Sequence, residues 1–260
     1  MIEEYLSDAE YSTYFSKLNN LRPKIVNDLP IEPGICILDL ATGYGYFSIE
    51  LARCKSNIKI VGIDISQGDV DIAEKNVIRE GFADRVKIIT MDATKMNFDN
   101  ESFNIVANFL GLEDIHMTRG RTGIQQTFTE VDRILKPGGY FCFTAMPPEE
   151  METDAQKMEV ALFSYICGAT WLSMKKYENM LRDTGFRLIR KEKYYTGKKL
   201  TSEQAKIEIK FACNSAPKIY EVETQSFEKV WGKFGQRIEK HGLGHYSKTI
   251  LLIAQKVRIE

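Results

Sequence analysis

The chain has 260 residues, of which 43% are hydrophobic and 27% charged, and its formal net charge is −1. This balance is typical of a globular protein and excludes general disorder. The near-neutral charge gives no overall field that would hold nucleic acid or anionic lipid. No secretory signal or run of roughly 20 apolar residues is present. We expect a cytoplasmic protein with five reduced cysteines.

Apolar and amphipathic segments alternate through the first half of the chain. A helix is predicted at 8–28. Runs of strand length follow at 35–40, 58–63, 86–91, 103–109 and 140–145. Helical spacing lies between them at 46–54, 68–80 and 122–135, and a Lys-Pro-Gly-Gly turn at 136–139 precedes the last strand. Nearly continuous apolar strands that alternate with helices indicate a parallel sheet buried on both faces.

The second half has a different pattern. Residues 151–184 are predicted to be mainly helical, and 186–195 to form a sixth strand. Residues 201–240 are again helical, and 246–256 form the final strand. Because 201–240 is too long for a simple loop, we expect it to pack as an insert over the sheet edge.

The turn after the first strand carries the clearest chemical signal. Asp39 ends a buried strand, and Gly43 and Gly45 let the backbone approach a ligand closely. Asp64 ends the second strand, where a carboxylate is suited to accept hydrogen bonds from ribose hydroxyls. The dinucleotide pattern G-x-G-x-x-G fits poorly because Ser48 replaces its third glycine. A nucleoside cofactor without a pyrophosphate is the alternative.

Four ordered segments resemble the motifs of class I S-adenosylmethionine (SAM)-dependent methyltransferases. Residues 39–45 resemble the D/E-x-G-x-G-x-G motif, with Ala41 in place of the first glycine, which is tolerable if the backbone there keeps a negative φ. Residues 61–66 and 90–94 resemble the second and third motifs. Residues 134–139 resemble the turn before the fifth strand.

The resemblance implies an α/β fold with a doubly wound, seven-stranded, mostly parallel sheet whose last strand is antiparallel, and with a helical insertion before that strand. It implies one methyltransferase domain over 1–260. Within it we expect an N-terminal helical lid at 1–30 and a cofactor-binding core at 35–146. Two helical elements, at 151–184 and 201–245, are expected to bind the acceptor.

The resemblance also implies how the cofactor is bound. Asp39 would orient the methionine end directly or through water, Asp64 would bind the ribose, and Asp92 would bind the adenine amine. A capping or turn role is the plain alternative for Asp39 and Asp92. The full predicted cofactor set is Tyr14, Asp39, Ala41, Thr42, Gly43, Gly45, Asp64, Ile65, Asp92, Ala93, Asn108 and Phe109. Tyr11 and Tyr14 share a helix face, for which core packing is the alternative.

The acceptor side is less defined. Asp114 and His116 are candidate general bases within an expected 109–118 loop, and a solvated loop is the alternative. Residues 108–110 are not the N/D-P-P-Y motif of amino methylation. We expect a small-molecule acceptor and no membrane or nucleic-acid partner. RNA or protein methylation, non-catalytic SAM binding and nicotinamide chemistry are the rivals, and the oligomeric state stays open.

Two other features have plain interpretations. His241 and His245 lack further metal ligands nearby in the sequence, and the glycines between them break any helix, so no metal site is predicted. The basic stretch 187–199 is expected to be a solvated strand edge and loop, with an acidic substrate or RNA as the alternative.

Overall fold

The computed structural model describes residues 8–220 and 222–257, without the side chains of 8–17, 215 and 218–220. Helices and strands alternate as the sequence predicts. The strands are β1 (Ile35–Leu40), β2 (Ile58–Asp64), β3 (Val86–Thr90), β4 (Phe103–Asn108), β5 (Leu135–Ala145), β6 (Phe186–Tyr195), β7 (Lys199–Leu200), β8 (Leu243–Gly244) and β9 (Lys248–Lys256). The helices are α1 (Asp8–Asp28), α2 (Tyr46–Cys54), α3 (Gln67–Arg79), α4 (Leu112–Ile134), α5 (Asp154–Cys167), α6 (Met174–Asp183), α7 (Ser202–Tyr220) and α8 (Phe227–His241).

Seven of these strands form one sheet in the order β3-β2-β1-β4-β5-β9-β6. β9 runs antiparallel to both of its neighbours, whereas the pairs from β3 to β5 are parallel. The predicted fold class is confirmed. The strand order reverses between β1 and β4, so the carboxyl ends of these two strands flank the crevice in which such sheets bind ligands.

Two large apolar clusters cover the two faces of the sheet. One contains α4 and α6 and includes the mutually packed rings of Phe128, Phe141 and Phe143. The other lies under α1, α2 and α3. A third cluster belongs to α5, α7, α8 and the short β7–β8 ladder and takes no residue from the seven-stranded sheet. These four elements, here together called the insertion, therefore have a core of their own.

Several predicted boundaries were wrong. The helix predicted at 122–135 is present, but an unpredicted helical stretch precedes it from Leu112, where Leu112 and Ile115 bury on the same cluster as Ile124. Gly120, at φ 67° and ψ −171°, is not helical and separates the two stretches of α4 by a kink. The predicted 109–118 loop is thus mostly helical.

The turn at 136–139 lies inside an extended β5, and the β4–β5 register shifts there between Phe103 and Ile105. Gly138, at φ 78°, absorbs the irregularity. The predicted 151–184 helix is two helices, because Gly168 ends α5 in a left-handed conformation. Within the part of the chain that the structure describes, no helix combines the length and the apolar character needed to cross a membrane.

Candidate functional site

The turn from Ala41 to Gly45 joins β1 to α2 at the carboxyl edge of the sheet. The Thr42 amide donates to Ile63 O on β2 at 2.9 Å, which fixes the turn against the neighbouring strand. Gly43 and Gly45 have φ angles of 53° and 78°. A Cβ at Gly43 would meet nothing within 4 Å, so the backbone there borders open space. A Cβ at Gly45 would meet Ala73 at 3.1 Å, so this glycine lets α3 pack closely.

Asp39 lies beneath this turn and is buried. Its Oδ2 accepts hydrogen bonds from Thr42 Oγ1 at 2.6 Å and Ser48 Oγ at 2.7 Å. Burial raises the pKa of Asp39 to about 6, and these hydroxyl donors oppose the rise. The carboxyl group therefore braces the turn from within. Ser48, whose presence argues against a dinucleotide pattern, is one of its two hydroxyl partners.

Ala41 departs from the sequence-based expectation. Its φ is 53°, in the left-handed region, so the assumption of a negative φ at this position was wrong. A side chain with a Cβ is strained there by about 1–2 kcal/mol. Gly111 faces it so closely that a Cβ on that glycine would lie 2.9 Å from Ala41 Cβ. Ala41 thus adopts, in the first motif, the left-handed backbone conformation that favours glycine.

Asp64 ends β2 beside the turn and is half-buried. Its Oδ2 accepts from the Gly43 amide at 2.8 Å, and its Oδ1 accepts from the Ser66 amide at 3.0 Å. Burial raises the pKa of Asp64, against those hydrogen bonds. The next side chain, Ile65, is 43% exposed although it is large and apolar. The partly open Asp64 carboxylate can accept hydrogen bonds from hydroxyl groups, and the exposed Ile65 side chain can cover a flat ring. Together they suit a ligand that carries both groups.

Asp92 follows β3, the next strand along this edge. Its Oδ1 accepts from the Thr94 amide and hydroxyl, both at 2.8 Å, and its Oδ2 forms an ion pair with Arg119 at 2.8 Å. Burial opposes ionisation, but these partners outweigh it and lower the pKa of Asp92. The adjacent Ala93 is buried. Asp92 Oδ2 can therefore bind an amine only after its ion pair with Arg119 is broken.

Asn108 and Phe109 close the site on the β4 side. The buried Asn108 amide donates to Leu40 O at 2.6 Å, and its Oδ1 accepts from the Gly111 amide at 3.2 Å. It thereby ties the end of β1 to the start of α4. Phe109 stacks on Phe47 with ring centroids 5.2 Å apart. The predicted residues from Asp39 to Phe109 thus lie at the carboxyl ends of β1 to β4. The buried ones among them include Asp39, Thr42, Ala93 and Asn108.

A family model described as a methyltransferase domain matches residues 31–206, more than half of the chain. The chain belongs to the SAM-dependent methyltransferase family. A 27-O-demethylrifamycin SV methyltransferase from Amycolatopsis mediterranei is 26% identical over 255 residues, which cover 96% of this chain and 87% of that protein. A candidate methyltransferase structure from Bacillus halodurans has a TM-score of 0.66 at 19% identity, covering 91% of this chain and 99% of its own, and this likeness shows the fold.

A second relative matches part of this methyltransferase. A demethylmenaquinone methyltransferase from Clavibacter sepedonicus is 35% identical over 114 residues, 43% of this chain and 42% of its own length. This chain therefore spans less than half of that relative.

The residues at the carboxyl edge fit the family's cofactor. The open space at Gly43 leaves room for a ligand against bare backbone, and the partly open Asp64 supplies acceptors for hydroxyl groups. The exposed Ile65 offers an apolar surface to a ring. Neither a phosphate-binding lysine nor a third glycine lies in the turn, which agrees with a nucleoside that carries no phosphate.

The candidate bases lie on the first turns of α4. Asp114 and His116 are two residues apart on a helix, so their side chains do not share a face. Burial, then the cations Lys176 and Arg121, lower the pKa of His116. His116 lies one turn after Glu113, whose carboxyl group accepts from Tyr177 of α6, so His116 is on the α6 side of α4. Cys167 Sγ, at the end of α5, lies 3.8 Å from Met117 Sδ, and Asp114 precedes Met117 by one turn, so Asp114 is on the insertion side.

Glu113, which directly precedes Asp114, is not among the predicted site residues. It is buried, and burial raises its pKa to about 7. The Tyr177 hydroxyl on α6 donates to Glu113 Oε1 at 3.3 Å. An acidic residue in an amphipathic helix gives no signal of burial, because its partner lies 64 positions away in the sequence.

A small apolar cluster, here called the rim cluster, lies where β4, β5 and β9 meet the insertion. It contains Met146, Met151, Val160, Leu110, Trp171 and Tyr246. Leu110 and Tyr246 have φ angles of 58° and 45°, and such strain in non-glycine residues concentrates at functional sites. The buried Nε1 of Trp171 has no hydrogen-bond partner among the described residues.

The insertion buries two carboxyl groups. Burial raises the pKa of Glu159, on α5, to about 8 and that of Glu208, on α7, to about 7. Glu159 accepts from the Tyr246 amide and from Ser247 Oγ at 3.5 Å, so it holds the segment that brings Tyr246 to the rim cluster. No sequence motif marks either residue.

Three other predictions concern a tyrosine pair, a metal site and a basic stretch. The Tyr11 and Tyr14 side chains lie outside the described residues. Among those described, no group of three or more His, Cys, Asp or Glu side chains is arranged for a metal ion. The basic strand β6 is largely paired: Arg190 lies 3.1 Å from Asp28, and Lys191 and Lys193 lie 2.9 and 3.2 Å from Glu150. This pairing leaves little free positive charge for RNA.

Proposed function

We propose that this methyltransferase transfers the methyl group of SAM to a small organic acceptor with an apolar body. The observation that carries the proposal is the carboxyl edge of β1, β2 and β4. There, the Gly43 backbone borders open space, its amide donates to the Asp64 carboxylate, and the Phe109 ring stacks on Phe47 at the end of β4. The cytoplasm, where free thiols persist, is the compartment that suits its five unpaired cysteines.

The cofactor would lie along this edge in a fixed direction. Asp64 would accept hydrogen bonds from the ribose, and Ile65 would cover one face of the adenine. The Thr94–Asp92 turn would meet the adenine amine once Arg119 releases Oδ2. Asp39 and Asn108 would position the two loops without touching the ligand, because both are buried and already hydrogen-bonded.

When bound, SAM supplies a sulfonium-linked methyl group that is open to in-line displacement. The protein's contribution is then alignment of the acceptor and exclusion of water, which can carry much of the rate. Of the two candidate bases, Asp114 faces the insertion and is the better placed to accept a proton from an acceptor hydroxyl. His116, directed toward α6, is the weaker candidate.

The acceptor would lie against the rim cluster. Its apolar members Met146, Met151 and Leu110 border the end of the sheet nearest Phe109. Trp171 Nε1 would donate a hydrogen bond to an acceptor oxygen. By their names, the two relatives methylate 27-O-demethylrifamycin SV and demethylmenaquinone, which supports a small-molecule acceptor.

Calorimetric titration with S-adenosylhomocysteine, SAM and NAD tests the cofactor. We expect binding of the first two and none of NAD. Binding of NAD alone would overturn the proposal. Release of S-adenosylhomocysteine is then followed while the protein is incubated with a small-molecule extract or with total RNA. Turnover with the apolar organic fraction supports the proposed acceptor class, and turnover with RNA alone contradicts it.

A further inference from the structure

Arg22 of α1 reaches the cofactor crevice from the side. Its guanidinium carbon lies 5.2 Å from the ring centroid of Phe109, which follows β4, and 5.4 Å from that of Tyr46, the first residue of α2. Arg22 is 6% exposed, and its Nη1 donates to Asn19 Oδ1 at 2.7 Å. A cation is thus built into the wall of the crevice at the β4 end.

The two rings determine how this cation can act. An arginine that stacks on aromatic faces keeps its N–H groups in the plane of the guanidinium, where they form a fork that matches a carboxylate. Such contacts between a guanidinium and aromatic rings also strengthen when water is excluded. Tyr46 and Phe109 therefore hold Arg22 in a fixed orientation at the crevice.

Three carboxyl groups line the β2–β3 end of the crevice. They are Asp64, Asp69 and Asp92, and burial followed by the Asp64 charge raises the pKa of Asp69 to about 6. Arg22 lies away from these three, between Tyr46 and Phe109. SAM has only one anionic group, the α-carboxylate of its methionine part, whereas its ammonium and sulfonium groups are cationic. The acidic end suits the ribose and adenine, and the cationic end suits the carboxylate.

We propose that Arg22 binds the α-carboxylate of SAM and so fixes the methionine part of the cofactor beside Phe109. The inference rests on the proposed function, because it places SAM in this crevice. It makes α1 a binding element for the cofactor in addition to a helix that packs on α2. Arg22 had no motif to mark it, since its ring partners lie 24 and 87 positions further along the chain.

The test compares two ligands that differ only in this carboxylate. Affinities for SAM and for decarboxylated SAM are measured by calorimetry in the wild-type protein and in Arg22→Gln. We expect the wild type to bind SAM about 10- to 100-fold more tightly than decarboxylated SAM. Arg22→Gln should bind both ligands with similar affinity, because the variant lacks the guanidinium that would contact the carboxylate. The four affinities form a double-mutant cycle that measures this one interaction.

A matched control comes from a second stacked arginine. Arg85 lies 5.3 Å from the Phe82 ring centroid and donates from Nη1 to three backbone carbonyls, at the opposite edge of the sheet. Arg85→Gln should lower the melting temperature and leave the preference for SAM unchanged. If Arg22→Gln does not fold, Arg22→Met, which keeps an apolar stem against the rings, takes its place with the same expected result.

The outcomes separate the inference from the proposed function. Absence of SAM and S-adenosylhomocysteine binding in the wild type would overturn the proposed function. If the wild type binds SAM and a folded Arg22 variant keeps the full preference over decarboxylated SAM, the inference is wrong although the function stands. A wild type that binds both ligands equally well contradicts the inference as well.

Discussion

The cofactor half and the insertion of this molecule both bury ionisable groups, but the hydrogen-bond partners of these groups lie at different distances along the sequence. In the cofactor half, Asp39 takes its hydroxyl partners from residues three and nine positions later. In the insertion, the Glu159 carboxylate takes its backbone partner 87 positions later. Lys248, fully buried, pairs with Glu152 96 positions away. Sequence motifs describe the first kind of site and miss the second.

The largest effects should come from the cores of the two regions. Phe143→Ala empties part of the core that includes Phe128 and Tyr177, and Phe234→Ala empties part of the separate insertion core beside Tyr165. Each substitution should cost about 3–5 kcal/mol of local stability. We expect Phe143→Ala to raise hydrogen exchange throughout the sheet, whereas Phe234→Ala raises it only in α5, α7 and α8. Equal loss of protection in β1–β4 of both variants would show that the two regions unfold together.

The next largest effect should be on cofactor affinity. Asp64→Ala removes the carboxylate that accepts from the Gly43 amide and that we propose binds the ribose. We expect about a 100-fold weaker affinity for S-adenosylhomocysteine by calorimetry, from the loss of charged hydrogen bonds. Circular dichroism should show an unchanged fold. Asp84→Ala, at a carboxylate that is 72% exposed, serves as the control and should bind normally. Normal binding by Asp64→Ala would remove Asp64 from the site.

A smaller effect should appear in the pH dependence of stability. Burial raises the pKa of Glu159 to about 8 from an ordinary value of 4.5, so the folded protein holds a proton that the unfolded chain releases between these two values. Stability should therefore fall as the pH rises through this window, by on the order of 1 kcal/mol per pH unit.

The side-chain amide of the Glu159→Gln variant cannot ionise, so this variant should lose the Glu159 contribution to this pH dependence. The free energy of unfolding of Glu159→Gln, relative to that of the wild type, should therefore increase from pH 5 to pH 8. Urea unfolding at several pH values measures the difference. Glu203→Gln is the control, because the Glu203 side chain is 80% exposed. Parallel slopes for the wild type and Glu159→Gln would show that Glu159 is ionised in the folded state.

The smallest effect concerns strain in the first motif. Ala41→Gly should stabilise the protein by about 1 kcal/mol or less, because glycine adopts a φ of 53° without strain but loses more entropy on folding. The same change at the buried helical residue Ala52 should destabilise it by about 1 kcal/mol. Thermal unfolding of both variants checks the pair. A loss of stability in Ala41→Gly would mean that the methyl group is needed against Gly111.

Much of the fold was predictable because each element carries its own local signal. The bounds of β1, α2 and β6 match the predicted ones, since apolar runs and glycines mark their ends. The first stretch of α4, from Leu112, was missed because Gly120 interrupts the helical pattern. The positive φ of Ala41 was missed because alanine gives no sign of a left-handed backbone.

The site was predictable in part for the same reason. The motifs marked Gly43 and Asp64, which border the open crevice. They did not show that Asp39 and Asn108 are buried, because burial depends on packing by other elements. Glu113, Glu159 and Arg22 carry no local signal at all, since each is defined by contacts with distant parts of the chain.

The two-stranded β7–β8 ladder has a consequence for engineering. It pairs Lys199 with Gly244 and Leu200 with Leu243, so the segment between them leaves and rejoins the protein at neighbouring points. This segment shares its core with α5, so it can be exchanged as a cassette only if the new insert packs on Met158, Leu162 and Ile166 of α5. Chimaeras that join such inserts at this ladder would leave β1 and β2, which lead to Gly43 and Asp64, in place.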